Sequence, residues 1–171
     1  MESGDQSIFD SVKQILIDKN YRRIMPLGKG GFADVLSAIG PNKKRIAIKI
    51  IRNENSWPFE EHVWPTLKHR HVLELLDVID VKHLNLKLYL MPRHPFPLNK
   101  MISRSSFLSD KKGLERVKRW LFDVLDGLDY MHASGYAHTD LKTDNVLISS
   151  DDRGVICDFS GISRTSVPLT R

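Results

Sequence analysis

Apolar residues follow two different periods along the chain. Near the start, residues 5–18 carry apolar side chains three and four positions apart, which predicts a short amphipathic helix. Apolar-rich runs follow at 21–27, 45–51, 72–81 and 84–91, of which 45–51 is rich in β-branched residues, and each run predicts a β-strand. The first half of the chain is therefore expected to be mainly strand, with one helix before it.

The helical period returns at 58–69, between two of these strands, and dominates the second half of the chain. Residues 58–69 predict a helix, and Pro65 predicts that this helix is short or bent, because proline removes a backbone hydrogen bond. A longer helix is predicted from 111 to about 134, with Ser109 or Asp110 as its N-cap. Two short apolar runs after this helix predict two further short strands.

A polar stretch between the long helix and these short strands carries the strongest chemical signal. Residues 138–145 read His-Thr-Asp-Leu-Lys-Thr-Asp-Asn, and Asp158 follows the second short apolar run. Carboxylate and amide oxygens are ligands that Mg²⁺ accepts. We therefore expect a site for a metal–triphosphate, with Asp140 at a hydroxyl group and Asn145 and Asp158 at the metal.

This stretch resembles the catalytic loop and metal-binding motif of protein kinases, which read His-Arg-Asp-Leu-Lys-x-x-Asn and Asp-Phe-Gly. Two upstream motifs agree in order. Residues 28–35 resemble the kinase Gly-x-Gly-x-x-Gly-x-Val loop with Ala33 at the third glycine, and Ile-Ala-Ile-Lys at 46–49 resembles Val-Ala-Ile-Lys. The resemblance covers residues 21–162, which is most of the chain.

The resemblance implies an α+β, bilobal fold, with a β-rich N-lobe that contains one helix and an incomplete helical C-lobe. The implied segments are an N-terminal helical extension at 1–20 and a kinase-like domain at 21–171, divided into an N-lobe at about 21–91, a hinge at about 92–97 and a partial C-lobe at 98–171.

The resemblance also implies transfer of the γ-phosphoryl group of ATP, bound with Mg²⁺, to a serine or threonine hydroxyl of a protein substrate. Asp140 would handle the proton and Lys142 would steady the phosphoryl group, while Asn145 and Asp158 would hold Mg²⁺. The residues implied to bind the nucleotide are Leu27, Gly28, Gly30, Gly31, Val35, Ala47, Lys49, Glu60, Met91 and Leu147.

The family pattern gives Lys49 a carboxylate partner on the helix at 58–69. Glu60 is the expected partner and Glu61 the alternative, since adjacent residues on a helix face about 100° apart and only one can point inward. The same resemblance predicts an apolar stack that links the lobes, formed by Trp64, Leu75, His138 and Phe159.

Three departures from the family pattern change the expectation. Thr139 replaces an arginine that pairs with an activation-loop phosphate in many relatives, so no such phosphate switch is expected. Ser160 replaces a hinge-like glycine, and Gly161 is expected to supply the missing backbone freedom. The chain ends at Arg171, soon after the metal motif, where the family continues with further helices. We therefore expect a fragment, a mis-called gene, or a truncated kinase-like protein in which a partner covers the long helix.

Two other functions compete with a protein kinase. A non-catalytic nucleotide-binding or scaffolding module would keep the fold without the reaction. A small-molecule phosphotransferase shares a similar polar loop, but Lys142 and Phe159 argue against it.

Composition sets the remaining expectations. With 171 residues, 41% hydrophobic and 27% charged, the chain is expected to form one globular domain. A single cysteine, a polar start and no apolar run near ~18 residues favour the cytoplasm or nucleus, with no membrane partner. The net charge of +5 is interleaved with acids, which favours solvated surface over a nucleic-acid partner.

Overall fold

The computed structural model describes residues 3–29, 33–53, 58–103 and 110–165. Contacts divide the chain into a first unit, residues 1–56 and 75–93, and a second unit, residues 57–74 and 94–171. The helices are α1 (Ser3–Asp18), α2 (Pro58–Val63), α3 (Leu98–Ile102) and α4 (Lys111–Ala133). The strands are β1 (Arg22–Lys29), β2 (Asp34–Ile39), β3 (Arg45–Arg52), β4 (Asp77–Val81), β5 (Leu86–Pro92), β6 (Phe96–Pro97), β7 (Tyr136–Ala137), β8 (Val146–Ile148), β9 (Gly154–Ile156) and β10 (Ser163–Arg164). The α+β class is confirmed.

The first unit is an antiparallel sheet in the order β1-β2-β3-β5-β4. Leu36, Ile48 and Leu90 lie opposite one another on three neighbouring strands and are buried. Their buried cluster also contains Val12 and Leu16 of α1. Helix α1 therefore covers the face of the sheet that carries these residues. Side chains alternate between the two faces of a strand, so the residues next to them in sequence point to the other face.

The predicted strand at 72–81 is too long. Only Asp77–Val81 joins the sheet as β4. The preceding backbone pairs within the second unit instead, where Val72 forms a parallel bridge with Ile156 and the Leu73 N–H donates to the Ile156 carbonyl at 2.8 Å. This long-range pairing satisfies backbone groups that an extended strand would have used.

Helix α4 begins and ends close to the predicted positions. The Asp110 carboxylate caps α4 by accepting from the Lys112 N–H at 3.2 Å. Gly135 follows with φ 84°, a left-handed conformation that suits glycine after a helix. The helix predicted at 58–69 is short, one of the two outcomes that Pro65 predicted, because α2 ends at Val63 and Pro65 lies in a 3-10 turn.

A buried polar contact attaches α4 to β9. The Asp123 carboxylate, 3% exposed, accepts from the Gly154 N–H at 2.9 Å and pairs with Arg153 at 2.8 Å. Gly127 allows α4 to approach the His71 backbone closely, since a Cβ at this position would lie 2.8 Å from the His71 carbonyl oxygen. This close contact fixes the position of β9, which leads directly to Asp158.

Among the residues that the structure describes, no helix combines the length and apolar character needed to cross a bilayer.

Candidate functional site

Three of the predicted site residues form one hydrogen-bonded cluster in the loop between β7 and β8. Lys142 Nζ donates to Asp140 Oδ2 at 2.6 Å. Asn145 Nδ2 donates to the Asp140 carbonyl oxygen at 2.9 Å and to Asp140 Oδ2 at 3.1 Å. The Asp140 carboxylate is therefore held from two sides, while Asp140 and Lys142 themselves remain exposed to solvent.

The cluster fixes the protonation states of its charged members. The hydrogen bond from Lys142 lowers the pKa of Asp140, and the hydrogen bond from Asn145 adds to this effect. The same contact with Asp140 raises the pKa of Lys142. Asp158 is close enough for its charge to raise the pKa of both groups. At neutral pH the loop therefore presents a carboxylate beside an ammonium group.

The segment before Asp158 is bonded to this loop through the backbone of Cys157. The Cys157 N–H donates to the Asn145 carbonyl at 2.9 Å. The His138 Nε2 lies 2.9 Å from the Cys157 carbonyl oxygen. Asp158 follows in a left-handed conformation, with φ 64°. These contacts bring Asp158 to the loop that carries Asp140 and Asn145.

The segment after Asp158 is bonded to the same loop. The Thr139 hydroxyl donates to the Gly161 carbonyl at 2.5 Å, and the Ile162 N–H closes a turn on the Phe159 carbonyl at 3.0 Å. Gly161 does not have a positive φ in this structure, and the expectation that it supplies backbone freedom stays a prediction. Gly161 is required for space: a Cβ there would lie 2.7 Å from the Thr139 hydroxyl oxygen.

Aromatic contacts immobilise the residue next to Asp158. The Phe159 ring is fully buried, with centroids 5.4 Å from the Trp64 ring and 5.8 Å from the His138 ring. Trp64 Nε1 in turn donates to the Leu73 carbonyl at 2.6 Å. Three members of the predicted stack are in contact, and the fourth, Leu75, belongs to the first unit.

The predicted nucleotide-binding residues of the first unit share one face of its sheet. Gly28 lies opposite Val35, Val35 lies opposite Lys49, and Ala47 lies opposite Met91. Directly opposed residues of antiparallel strands point to the same face. Here that face is the one that α1 does not cover.

The other nucleotide-binding predictions fall in several places. Leu27 lies at an irregularity in the pairing of β1, where the register shifts before Gly28. Gly30 and Gly31 lie outside the described residues. Glu60, buried on α2, and Leu147, on β8, belong to the second unit.

The pair between Lys49 and Glu60 stays a prediction. Lys49 belongs to the first unit, whereas Glu60 and its alternative Glu61 belong to the second. Glu60 is 1% exposed and Glu61 is half-buried, so Glu60 is the better enclosed of the two carboxylates.

The chemistry of the donor set fits a shared magnesium ion. Asn145 is buried and uses its amide nitrogen on Asp140, which leaves the amide oxygen as the end suited to a cation. Within the described part of the chain, no group of three His, Cys, Asp or Glu side chains could hold a metal alone. The oxygens of Asn145 and Asp158 are of the kind that Mg²⁺ accepts, so these two residues could hold the metal.

Sequence reasoning missed the bond between Thr139 and Gly161. The replacement of the family arginine marked position 139, but nothing in the sequence indicated where a threonine hydroxyl there would bond. The contact depends on a turn 22 positions downstream.

The chain is similar to known proteins over most of its length. Residues 21–169 match the family model described as "Protein kinase domain". The chain is 32% identical over 164 residues to mitogen-activated protein kinase 14 of Arabidopsis thaliana, which covers 87% of this chain and 43% of that protein. It is 33% identical over 175 residues to mitogen-activated protein kinase homolog NTF3 of Nicotiana tabacum, covering 94% of this chain and 43% of the relative. It is 32% identical over 166 residues to cyclin-dependent kinase 14 of Xenopus laevis, covering 87% and 35%. The chain thus spans less than half the length of these curated relatives.

Proposed function

Because this chain belongs to the protein kinase family, we propose that it transfers the γ-phosphoryl group of Mg·ATP to a serine or threonine hydroxyl of a protein substrate. The observation that carries the proposal is the cluster in which Asp140 accepts hydrogen bonds from Lys142 and Asn145, with Asp158 nearby. Relatives named as mitogen-activated protein kinases and a cyclin-dependent kinase support the same class of reaction.

Asp140 orients the substrate hydroxyl and receives its proton. Its lowered pKa keeps the carboxylate ionised at neutral pH, so an oxygen is ready to accept a hydrogen bond from the hydroxyl. A carboxylate with a low pKa is a weak base, which suits proton transfer late in the reaction, as the bond to phosphorus forms. Asn145 maintains the orientation of the carboxylate through its two hydrogen bonds.

Lys142 neutralises negative charge on the transferred group. Its raised pKa keeps the ammonium group protonated, and its position 2.6 Å from the Asp140 carboxylate places the positive charge beside the attacking hydroxyl. An ammonium group held before the reaction begins stabilises charge that develops in the transition state.

When bound, Mg·ATP supplies a γ-phosphorus whose surrounding negative charge is reduced by the metal. Asn145 and Asp158 are the residues that would hold the metal. Lys49, oriented by Glu60, would bind the phosphates. The sheet face that carries Val35 and Ala47 would bind the adenine ring, since nucleotide sites are largely apolar with a few polar groups.

A phosphate-transfer assay tests the proposal directly. The purified protein is incubated with γ-labelled ATP, Mg²⁺ and a generic protein substrate, and labelled phosphoserine and phosphothreonine are measured. We expect transfer that is lost in Asp140→Asn and in Lys49→Ala but kept in Asp151→Asn, an exposed acid outside the loop. Transfer at the wild-type rate by Asp140→Asn would refute the proposed role of this carboxylate.

A non-catalytic nucleotide-binding or scaffolding module is the second candidate. It would keep the protein kinase fold and the nucleotide site without the transfer reaction. Thermal unfolding with and without Mg·ATP distinguishes both candidates from a protein that binds no nucleotide. A ligand at ~100 times its Kd adds about 2.7 kcal/mol to the free energy of unfolding. Stabilisation without any phosphate transfer would favour the module.

A further inference from the structure

Asn99, the second residue of α3, is bonded to the loop that carries the candidate site. Its Nδ2 donates to Asp144 Oδ1 at 2.6 Å. Its Oδ1 accepts from the Lys100 N–H at 2.6 Å, so the carbonyl end of the amide is used within the helix and the NH2 end is the one that faces Asp144. The bond joins positions 45 apart in sequence, and both residues belong to the second unit.

The backbone on both sides of this bond is held by one pair of strands. Helix α3 begins directly after β6, and Asp144 lies in the 3-10 turn directly before β8. Pro97 of β6 lies opposite Leu147 of β8, and the buried side chain of Leu98 fixes the start of α3. Asn99 is therefore presented to Asp144 by a part of the fold that does not belong to the loop itself.

Asp144 is a second acid close to the lysine of the cluster. It follows Lys142 by two positions. The hydrogen bond with Asp140 is the largest cause of the raised pKa of Lys142, and the charge of Asp144 acts in the same direction. One ammonium group on a flexible stem is therefore attracted by two carboxylates, yet it donates to Asp140, at 2.6 Å. A donor that holds Asp144 favours this choice, because it fixes that side chain and occupies one of its oxygens.

We propose that Asn99 is a positioning residue that acts through Asp144. By holding this carboxylate, Asn99 leaves Lys142 bonded to Asp140. Without the Nδ2 donor, Asp144 turns toward Lys142 and competes for its ammonium group, so the positive charge no longer lies beside the attacking hydroxyl. This role rests on the proposed phosphate transfer, but the contact between Lys142 and Asp140 can be measured without any reaction.

Asn99→Asp tests the role with almost no change of shape. The carboxylate at 99 still accepts from the Lys100 N–H, but it repels Asp144 where the amide donated to it. NMR couplings across hydrogen bonds, from Lys142 Nζ to a side-chain carboxyl carbon, identify the acid that binds the lysine. The coupling should connect to Asp140 in the wild type and should be lost or pass to Asp144 in the variant.

Kinetics should follow the same change. In Asn99→Asp, kcat for phosphate transfer should fall about tenfold while KM for ATP stays within about twofold, the pattern of an interaction that acts in the transition state. Lys100→Ala is the matched control, since it changes an exposed side chain on the same short helix and keeps the backbone N–H. It should leave the coupling and kcat at their wild-type values.

Asn99→Asp combined with Asp144→Asn should restore the contact. The amide at 144 then donates to the carboxylate at 99, so the bond forms again in the opposite direction, and no acid at 144 competes for Lys142. The coupling to Asp140 should return. A general disturbance of α3 by Asn99→Asp would not be reversed by this second substitution.

Three results would overturn the proposal: a wild-type protein without the coupling from Lys142 to Asp140, an Asn99→Asp variant that keeps the wild-type coupling and kcat, or a double variant in which the coupling does not return. If the wild-type protein transfers no phosphate while the coupling is lost in the single variant and returns in the double variant, the proposed reaction fails and the positioning contact stands.

Discussion

The Thr139 hydroxyl donates a hydrogen bond to the Gly161 carbonyl and thereby joins the loop that carries Asp140 to the segment that follows Asp158. The short ladder of β7 with β10 and a bond from the Thr165 N–H to the Gly135 carbonyl reinforce the same connection. All of these contacts are uncharged. The segment is therefore held by uncharged contacts at the position where many relatives carry an arginine, and the expectation that no phosphate switch operates here stays a prediction.

Thr139→Val should loosen this connection. Valine removes the hydroxyl but keeps the β-branched shape. The strain of a β-branched residue in the left-handed conformation (φ 64°) is therefore the same in both proteins. Loss of one hydrogen bond, typically ~1 kcal/mol, should slow phosphate transfer several-fold and speed amide exchange at Ile162. Exchange is measured by NMR or mass spectrometry, so this readout does not require activity.

Thr139→Ser is the matched control for this experiment, because serine keeps the hydroxyl and should keep slow exchange. Wild-type exchange and wild-type transfer in Thr139→Val would show that the bond has no role. If the wild-type protein itself transfers no phosphate, the proposed kinase reaction fails, but the exchange comparison still stands.

Lys142→Met should raise the pKa of Asp140. The hydrogen bond from Lys142 is the largest cause of the lowered pKa, because it favours the ionised carboxylate. Without it, Asp140 takes up its proton at higher pH, so the acid limb of a pH–rate profile should also move to higher pH. Carboxyl NMR titration of Asp140 measures the change in pKa directly.

Lys142→Arg keeps a cationic donor and should keep the Asp140 pKa low. An Asp140 pKa that is the same in Lys142→Met as in the wild type would contradict the assigned cause.

Asp123→Asn should destabilise the second unit. The side chain is almost fully buried and accepts from the Gly154 N–H while it pairs with Arg153. Asparagine keeps an acceptor but removes the charge that balances a partly buried guanidinium group, so we expect a loss of about 2 kcal/mol in the free energy of unfolding. Urea denaturation measures this free energy of unfolding. The control Asp151→Asn, at an exposed site, should leave it almost unchanged. A loss no larger than that of the control would show that Asp123 is not a structural anchor.

Periodicity and local residue chemistry predicted most of the elements. The 3.6-residue pattern identified α1 and α4, and Pro65 identified the end of α2. The motif spacing identified the three residues that the structure brings together at 140, 142 and 145. These features depend on neighbours in the sequence, which is why the sequence alone could reveal them.

The features that the sequence did not predict depend on distant partners. Val72 and Leu73 read as strand, yet their backbone pairs with Ile156, more than 80 positions away. Gly161 matters because the Thr139 hydroxyl occupies the space beside it. The pairing of Lys49 with Glu60 stays a prediction, since the two residues belong to different units.

Asp152 provides a stability test in which the sign of the pH dependence can be worked out. Its carboxylate accepts from Arg116 Nε at 3.1 and 3.0 Å and is also bonded by Arg119. Burial raises the pKa of Asp152, but the hydrogen bond and charge of Arg116, together with Arg119, outweigh burial and leave this pKa below its ordinary value. A carboxyl group with a lowered pKa in the folded state stabilises the fold above its unfolded pKa, about 3.9, and loses that contribution as the pH falls through the folded value.

Asp152→Asn should therefore lower the free energy of unfolding by about 1 kcal/mol near neutral pH, a modest value because the group is one-third exposed. Urea denaturation of both proteins from about pH 7 down to about pH 3 should show a difference that is constant at first and shrinks below about pH 4, where the wild-type carboxyl begins to take up its proton. Asp151→Asn serves again as the control and should show no such difference. If the difference in the free energy of unfolding between wild type and Asp152→Asn stays constant down to about pH 3, the stabilisation comes from the shape of the side chain and not from its charge.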